Sequence, residues 1–311
     1  MKSSTSAQNP LVVSWFLLIL LALIWGSSFI LMKRGLLVFS PLEIGALRIS
    51  AAFVALLPFA VFHARKIPKS KWKYLLISGL LGNAIPAVLF PLAQTRLLSS
   101  VTGVLNGLTP LFTVLVGALF FSQKLKYKQL VGLGIAFIGA GLLSIAKKGG
   151  GFGDINIYVV FVILAAFFYG ISLNVIKSNL SEVASFPIAS CAFLTVGIPS
   201  ILFLFFGTPF LSHFQETQEI TTQTTLIPPI ALVWKSFFYI VILGVVGTAI
   251  ALIIFNKVIQ LNDAVFASTV TYFIPIVAIF WGVIDDEPLQ SGHFIGMALI
   301  IFGVFVANRW K

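Results

Sequence analysis

The sequence predicts an all-α integral membrane protein, with ten transmembrane helices arranged as two inverted five-helix repeats around a central cavity. Three observations lead there. Hydrophobic residues make up 59% of the chain and charged residues only 9%, with a mean hydropathy of +1.06, whereas a soluble domain carries about 25% charged residues. The apolar residues fall in long continuous blocks, and Gly and Pro recur at a fixed spacing in the two halves. So few charges cannot build a water-facing surface, which excludes a soluble enzyme. So much hydrophobicity excludes disorder.

Ten apolar segments lie at 12–32, 42–62, 73–92, 99–121, 129–146, 156–176, 186–206, 237–256, 264–283 and 292–308. In hydrocarbon every backbone N–H and C=O is satisfied within a helix or a closed barrel. Barrel strands are about 10 residues long and alternate, and these blocks do neither. The first follows Lys2 and runs on to Met32 with no small-x-small cleavage site, so it reads as an uncleaved span. Ser40-Pro41 opens the second, which carries Glu43 and Arg48 near its start. Arg65-Lys66-Ile67-Pro68-Lys69 separates the second from the third, and Gly149 to Gly153 forms a flexible joint at mid-chain. The domain division is therefore 1–148, a Gly-rich linker 149–155, and 156–311. The longest loop, about 207–235, is polar and Thr-rich and is expected to be mobile and exposed.

The net charge is +11. In a membrane protein such an excess marks cytoplasmic loops rather than a nucleic-acid surface. With ten spans, 13 Lys and Arg fall on the side of the termini, six on the other, and Arg48 within a span. Both termini are therefore expected in the cytoplasm of a cell with an inner membrane, and Asp285-Asp286-Glu287 outside. The sequon Asn179-Leu180-Ser181 then faces inward and reads as chance. Cys191 is the single cysteine and sits in an apolar run, as an inert buried thiol does.

A shift of 165 residues pairs Gly79 with Gly244, Gly82 with Gly247, Phe90 with Phe255, Pro110 with Pro275 and Gly117 with Gly282, without a gap. After a one-residue slip, Leu125 meets Leu289, Gly132 meets Gly296 and Gly139 meets Gly303. With another shift Trp25-Gly26 meets Tyr169-Gly170 and Lys33 meets Lys177. Five spans per half is an odd number, so the second copy enters from the opposite face. Inverted repeats of this kind are typical of secondary transporters, with a site near the midplane.

Leu23-Ile24-Trp25-Gly26-Ser27-Ser28-Phe29, then Lys33 and Ala46-Leu47-Arg48, resembles the opening of an EamA-type member of the drug/metabolite transporter superfamily. The helix pairs running from Pro110 to Gly139 and from Pro275 to Gly303 extend the resemblance over nearly the whole chain. It implies ten helices, cytoplasmic termini, and export or exchange of small metabolites, often amino acids. It also implies a Glu before the last helix of each half. Glu287 fits, but Gln123 stands in the first half.

Polar groups inside spans are costly and mark function by default. Arg48 is the sharpest: it holds a substrate carboxylate through a bidentate contact, or it is a structural Arg that bonds helix-end carbonyls or snorkels outward. Trp25 and its mate Tyr169 read as facing walls of a cavity or as packing beside Gly. Ser28, Asn83, Asn106, Asn174, Thr248, Asn256, Thr271 and Tyr272 complete the candidate substrate-binding set. Pro110 and Pro275 are candidate hinges, because proline interrupts the helical ladder. Lys33 and Lys177, at span ends, read as snorkelling or loop charges.

His63, His213 and His293 are dispersed, no cluster has metal-ligand spacing, and there is no GxxxxGK[ST]. No catalytic residue, metal or cofactor is expected. The expected partners are a small-molecule metabolite and membrane lipids, without nucleic acid, in a monomer or homodimer; Gly103-xxx-Gly107 suits close helix contact within or between chains. The competing readings are an uptake facilitator and a membrane scaffold or lipid-modifying protein.

Overall fold

The structure, a computed structural model, describes residues 10–146, 155–215, 228–262, 266–267 and 269–308. The Gly-rich linker apart from Ile155, the Thr-rich loop from Glu216 to Ile227, and Asp263 lie outside the described residues, as do Lys2, Lys147, Lys148, Arg309 and Lys311.

Every described element is helical. The rods are α1 (Pro10–Gly35), α2 (Pro41–Ala64), α3 (Lys69–Gln94), α4 (Ser99–Phe120), α5 (Tyr127–Ile145), α6 (Val159–Asn179), α7 (Ser185–Phe206), α8 (Ile230–Leu261), α9 (Val270–Ile284) and α10 (Ser291–Asn308). Eight of them, α1 to α8, are long and apolar enough to cross a membrane. The last two, α9 and α10, are apolar helices shorter than these among the described residues. α9 has 15 described residues, a rise of about 22 Å against a hydrocarbon core of about 30 Å. In the other direction, α8 overruns its expected limits of 237–256 and takes in Lys235, whose side chain is exposed and reaches outward from an apolar stem.

Three rods are interrupted. α3 contains a π turn at Leu80–Ala84 and α8 one at Val245–Ile250. α4 breaks at Gly107-Leu108 into Ser99–Asn106 and Thr109–Phe120. Pro110 therefore sits in the first turn of a fresh helical piece, where its missing N–H costs nothing, whereas Pro275 lies inside α9.

Close crossings are made by glycine. A Cβ on Gly132 would strike the carbonyl of Gly303, and one on Gly139 would lie 2.7 Å from that of Gly296. The earlier glycine of α5 meets the later one of α10, so these two helices run antiparallel. So do α2 and α7: Phe53 fills the space beside Gly197, while Cys191 donates to the Ala60 carbonyl at 3.7 Å. Gly26 sets α1 against Ile274 and Val277 of α9, and Gly170 sets α6 against Phe112 and Thr113 of α4. Gly103 abuts Ala278 and Phe29, and a Cβ on Gly107 would lie 3.7 Å from Pro275, so this small-residue pair packs within the chain. Large apolar side chains such as Phe16, Phe62, Leu119 and Phe280 remain exposed on the outside, where lipid is an equal solvent.

The loop after α7 begins as an apolar turn, in contrast to the polar, mobile stretch expected from 207 onward. Phe210–Phe214 forms a 3₁₀ helix whose rings pack on Phe39, Trp234 and Phe237. His213 Nε2 lies 3.1 Å from Glu43 Oε1. Glu43, which closes the capping box of α2 with Ser40, is buried.

Candidate functional site

The two π turns begin 165 residues apart, at Leu80 and Val245. The extra residue in such a turn takes backbone groups out of the ordinary i to i+4 ladder, and these insertions concentrate at functional sites. Both turns are closed in the same way. Asn83 Nδ2 donates to the Ser78 carbonyl at 3.4 Å, and Thr248 Oγ1 to the Leu243 carbonyl at 3.3 Å, each reaching back five residues.

Two candidate residues converge on consecutive positions of the second turn. Trp25 Nε1 donates to the Gly247 carbonyl at 3.1 Å, and Arg48 Nε donates to Thr248 Oγ1 at 3.3 Å. The Trp25 ring leans on Phe255 with centroids 5.5 Å apart, and Tyr169 on Phe90 at 6.0 Å. Each contact joins one half of the chain to the other, and the sequence repeat maps one onto the other. Tyr169 is within electrostatic reach of Arg48. Trp25, Arg48, Asn83 and Tyr169 are all partly accessible.

Arg48 has no carboxylate partner among the described residues, and its two terminal guanidinium nitrogens make no hydrogen bond there. Neither nitrogen is sealed away from solvent. An unpaired guanidinium at this depth is expensive unless water or an anion reaches it.

The remaining predicted residues divide. Ser28 is buried; it donates to the Ile24 carbonyl at 3.2 Å and faces Gly247. Asn174 is 2% exposed and saturated: its amide donates to Thr113 and Gly170 carbonyls at 2.8 Å, and its oxygen accepts from Gln123 at 2.8 Å. Asn256 donates to Leu252 at 2.7 Å on its own helix. Asn106 accepts from Thr109 beside the break in α4. Thr271 and Tyr272, half-buried at the start of α9, lie with Tyr272 packed on the main core. Phe90 and Phe255 complete the aromatic pairs; being apolar they do not stand out in an apolar span, although the 165-residue repeat matches them.

A model of the EamA-like transporter family matches the chain twice, over residues 13–145 and 156–309. The chain belongs to the EamA-like transporter family. Among its relatives is a protein from Archaeoglobus fulgidus described as an uncharacterized transporter, 25% identical over 95% of this chain and 98% of its own length. A probable amino-acid metabolite efflux pump of Escherichia coli is 24% identical over 95% of each chain. A probable terminal-alkyne amino-acid exporter of Streptantibioticus cattleyicolor is 23% identical over 94% of this chain and 92% of its own. A solved crystal structure superposes with a TM-score of 0.57 at 17% identity, over 95% of this chain and 96% of that one, which shows a shared fold.

A second polar cluster in this EamA-like chain corrects the expectation for Lys33. Lys33 does not merely snorkel: it donates to Glu287 at 2.9 Å and pairs with Asp285 at 2.6 Å, while Arg34 pairs with Asp285 as well. Glu287 is buried, unlike the exposed Asp286 before it. It is 7% exposed and accepts from Ser99 N at 2.8 Å, Ser99 Oγ at 2.7 Å, Ser100 N at 3.1 Å and Ser100 Oγ. The carboxylate thus caps α4 from a distant turn, where the helix end favours negative charge. Burial pushes the Glu287 carboxyl up, but donation from Ser100, Ser99 and Lys33 outweighs burial and holds it below the ordinary carboxylate range. The left-handed residue just before it, Asp286, has a counterpart 164 residues earlier in Ser122, just before Gln123. Yet Gln123 donates to Asn174, and no acid stands there.

Two surface hollows lie elsewhere. One of about 410 Å³ sits among Lys69, Lys71, Lys73 and Tyr74 at the foot of α3. A groove of about 280 Å³ runs between α2, α3 and α7, lined by apolar side chains with Thr195 and Ser200.

Proposed function

We propose that the chain is a secondary transporter that exports small amphipathic metabolites, amino acids or close relatives, across an inner membrane by alternating access. Two five-helix halves, 1–148 and 156–311, joined by 149–155, rock about a shared site in inverted orientation, with both termini cytoplasmic. The observation that carries this reading is Arg48: a partly accessible cation inside a span, without an acidic partner among the described residues and tied to a π turn.

Several features support the inverted halves. The paired π turns, the crossed aromatic contacts, the left-handed residues 164 apart and the antiparallel α5–α10 and α2–α7 crossings all obey one exchange of halves. The names of the relatives, a probable amino-acid metabolite efflux pump and a probable terminal-alkyne amino-acid exporter, support export as the direction.

In this cycle Arg48 orients the anionic group of the substrate, while Trp25 and Tyr169 wall the site and Asn83 and Thr248 border it. The Lys33–Asp285–Glu287 cluster ties α1, α4 and α9 across the outer mouth. Pro110 in α4 and Pro275 in α9 serve as the hinges at which these helices bend. The test is flux of labelled amphipathic amino acids into proteoliposomes. Arg48→Ala abolishes flux with the fold retained. Wild-type flux in that variant, or none for any solute with well-folded wild type, contradicts the reading.

A further inference from the structure

The charge balance around Arg48 bears on what the site accepts. The sequence has nine acidic residues. Only Glu43 lies within a described span, and it is committed to Ser40 and His213 in the first turn of α2. Asp285 and Glu287 are engaged with Lys33, Arg34, Ser99 and Ser100. Glu182 is exposed and pairs with Lys71, Asp286 is exposed in the turn after α9, and Asp154, Glu216, Glu219 and Asp263 lie outside the described residues. No acid among the described residues therefore faces the guanidinium or its surroundings. The groups shown beside it are a neutral dipole and a ring, Thr248 and Tyr169, with Trp25 bound to the carbonyl of Gly247 one residue before Thr248.

Such a site carries one uncompensated positive charge in a medium of low dielectric constant, where charges interact strongly. A ligand carboxylate neutralises it through the two open guanidinium nitrogens. A zwitterion brings a second cation that must either lose its water without an acidic partner or stay outside the pocket. Aromatic walls offer that ammonium only a cation–π contact, next to an Arg that repels it.

Resting on the transporter reading above, we infer that the substrate class selected by this site is a monoanionic carboxylate with an aromatic or large apolar body, its nitrogen absent or acylated, in preference to a free zwitterionic amino acid.

The test uses the full chain purified into lipid nanodiscs at pH 7, with the thermal unfolding midpoint read against ligand concentration. The probes are N-acetylphenylalanine, phenylalanine, phenylalaninamide and N-acetylphenylalaninamide. The expected result is stabilisation by N-acetylphenylalanine at concentrations about tenfold or more below those phenylalanine needs, with no response to the two amides. Arg48→Gln removes the response to N-acetylphenylalanine, and Arg48→Lys retains part of it. If phenylalanine matches N-acetylphenylalanine while Arg48→Gln abolishes both, the Arg48 site stands and the charge preference is overturned. If Arg48→Gln leaves every response unchanged, the site itself is overturned. A flat response to all four probes in the wild type overturns the inference irrespective of how the variants fold.

Discussion

The ammonium of Lys33 donates to the buried carboxylate of Glu287 at 2.9 Å, across 254 residues of sequence. That one contact joins the end of α1 to the turn after α9, and through Ser99 and Ser100 to the start of α4. Glu287→Gln keeps the shape and removes the charge. Lys33 then retains only Asp285, and the α4 amides face a neutral acceptor. The expected loss is about 1.5–3 kcal/mol, the range for hydrogen bonds to a charged group. Thermal unfolding of the variant in nanodiscs checks it; an unchanged midpoint means the cluster is decorative.

The same carboxylate predicts an acid sensitivity. Its folded-state pKa lies below the ordinary value of 4.5. A depressed carboxylate contributes stability that is fully present above the unfolded value and is lost as pH falls through the folded one. Stability measured between pH 6 and pH 3 should therefore drop below about pH 4.5 in the wild type, and less steeply in Glu287→Gln. Parallel curves for the two proteins contradict the assignment.

The glycines of α5 predict opposite effects on one helix. A side chain at Gly132 or Gly139 strikes backbone of α10, whereas Gly134 and Gly141 face open space. Gly139→Val should cost about 3 kcal/mol or more by forcing the helices apart. Gly134→Ala and Gly141→Ala should be neutral or mildly stabilising, since Ala is the better helix former by about 1 kcal/mol. Midpoints of purified variants decide it, and equal losses at all positions would refute the crossing.

Much of this architecture was legible in the sequence, for reasons of solvent and symmetry. Continuous apolar blocks leave helices as the economical solution, and the Gly82/Gly247 match falls within what prove to be π turns, with the Gly79/Gly244 match immediately before them. Trp25, Arg48, Asn83 and Thr248 stand out because polar groups are conspicuous in hydrocarbon. What stayed hidden depends on partners distant in sequence. Hydropathy places Lys33 and Glu287 at span ends and is blind to their meeting. The saturation of Asn174 depends on Gln123, Thr113 and Gly170 arriving together. The aromatic turn at Phe210–Phe214 is masked by the polar stretch that follows it in sequence.

The crossed rings yield a further expectation. Trp25→Phe keeps the contact with Phe255 but removes the donor to Gly247, with a cost of about 1 kcal/mol in stability. Tyr169→Phe keeps the contact with Phe90 and removes a hydroxyl near Arg48. In the N-acetylphenylalanine titration the Tyr169 variant should weaken binding more than it changes the unliganded midpoint. The reverse ranking would make Tyr169 a packing residue.

The most direct test of the carrier account is which side reaches the π-turn site. Cys191 is the single native cysteine, so Cys191→Ala permits a lone probe, Asn83→Cys, in vesicles of known orientation treated with a membrane-impermeant maleimide. The account predicts labelling from the cytoplasmic side while the Lys33–Glu287 cluster is intact, and new labelling from the outer side when Glu287→Gln is added. A probe position that stays unreactive from both sides in both backgrounds would mean a dry, closed centre and would contradict alternating access.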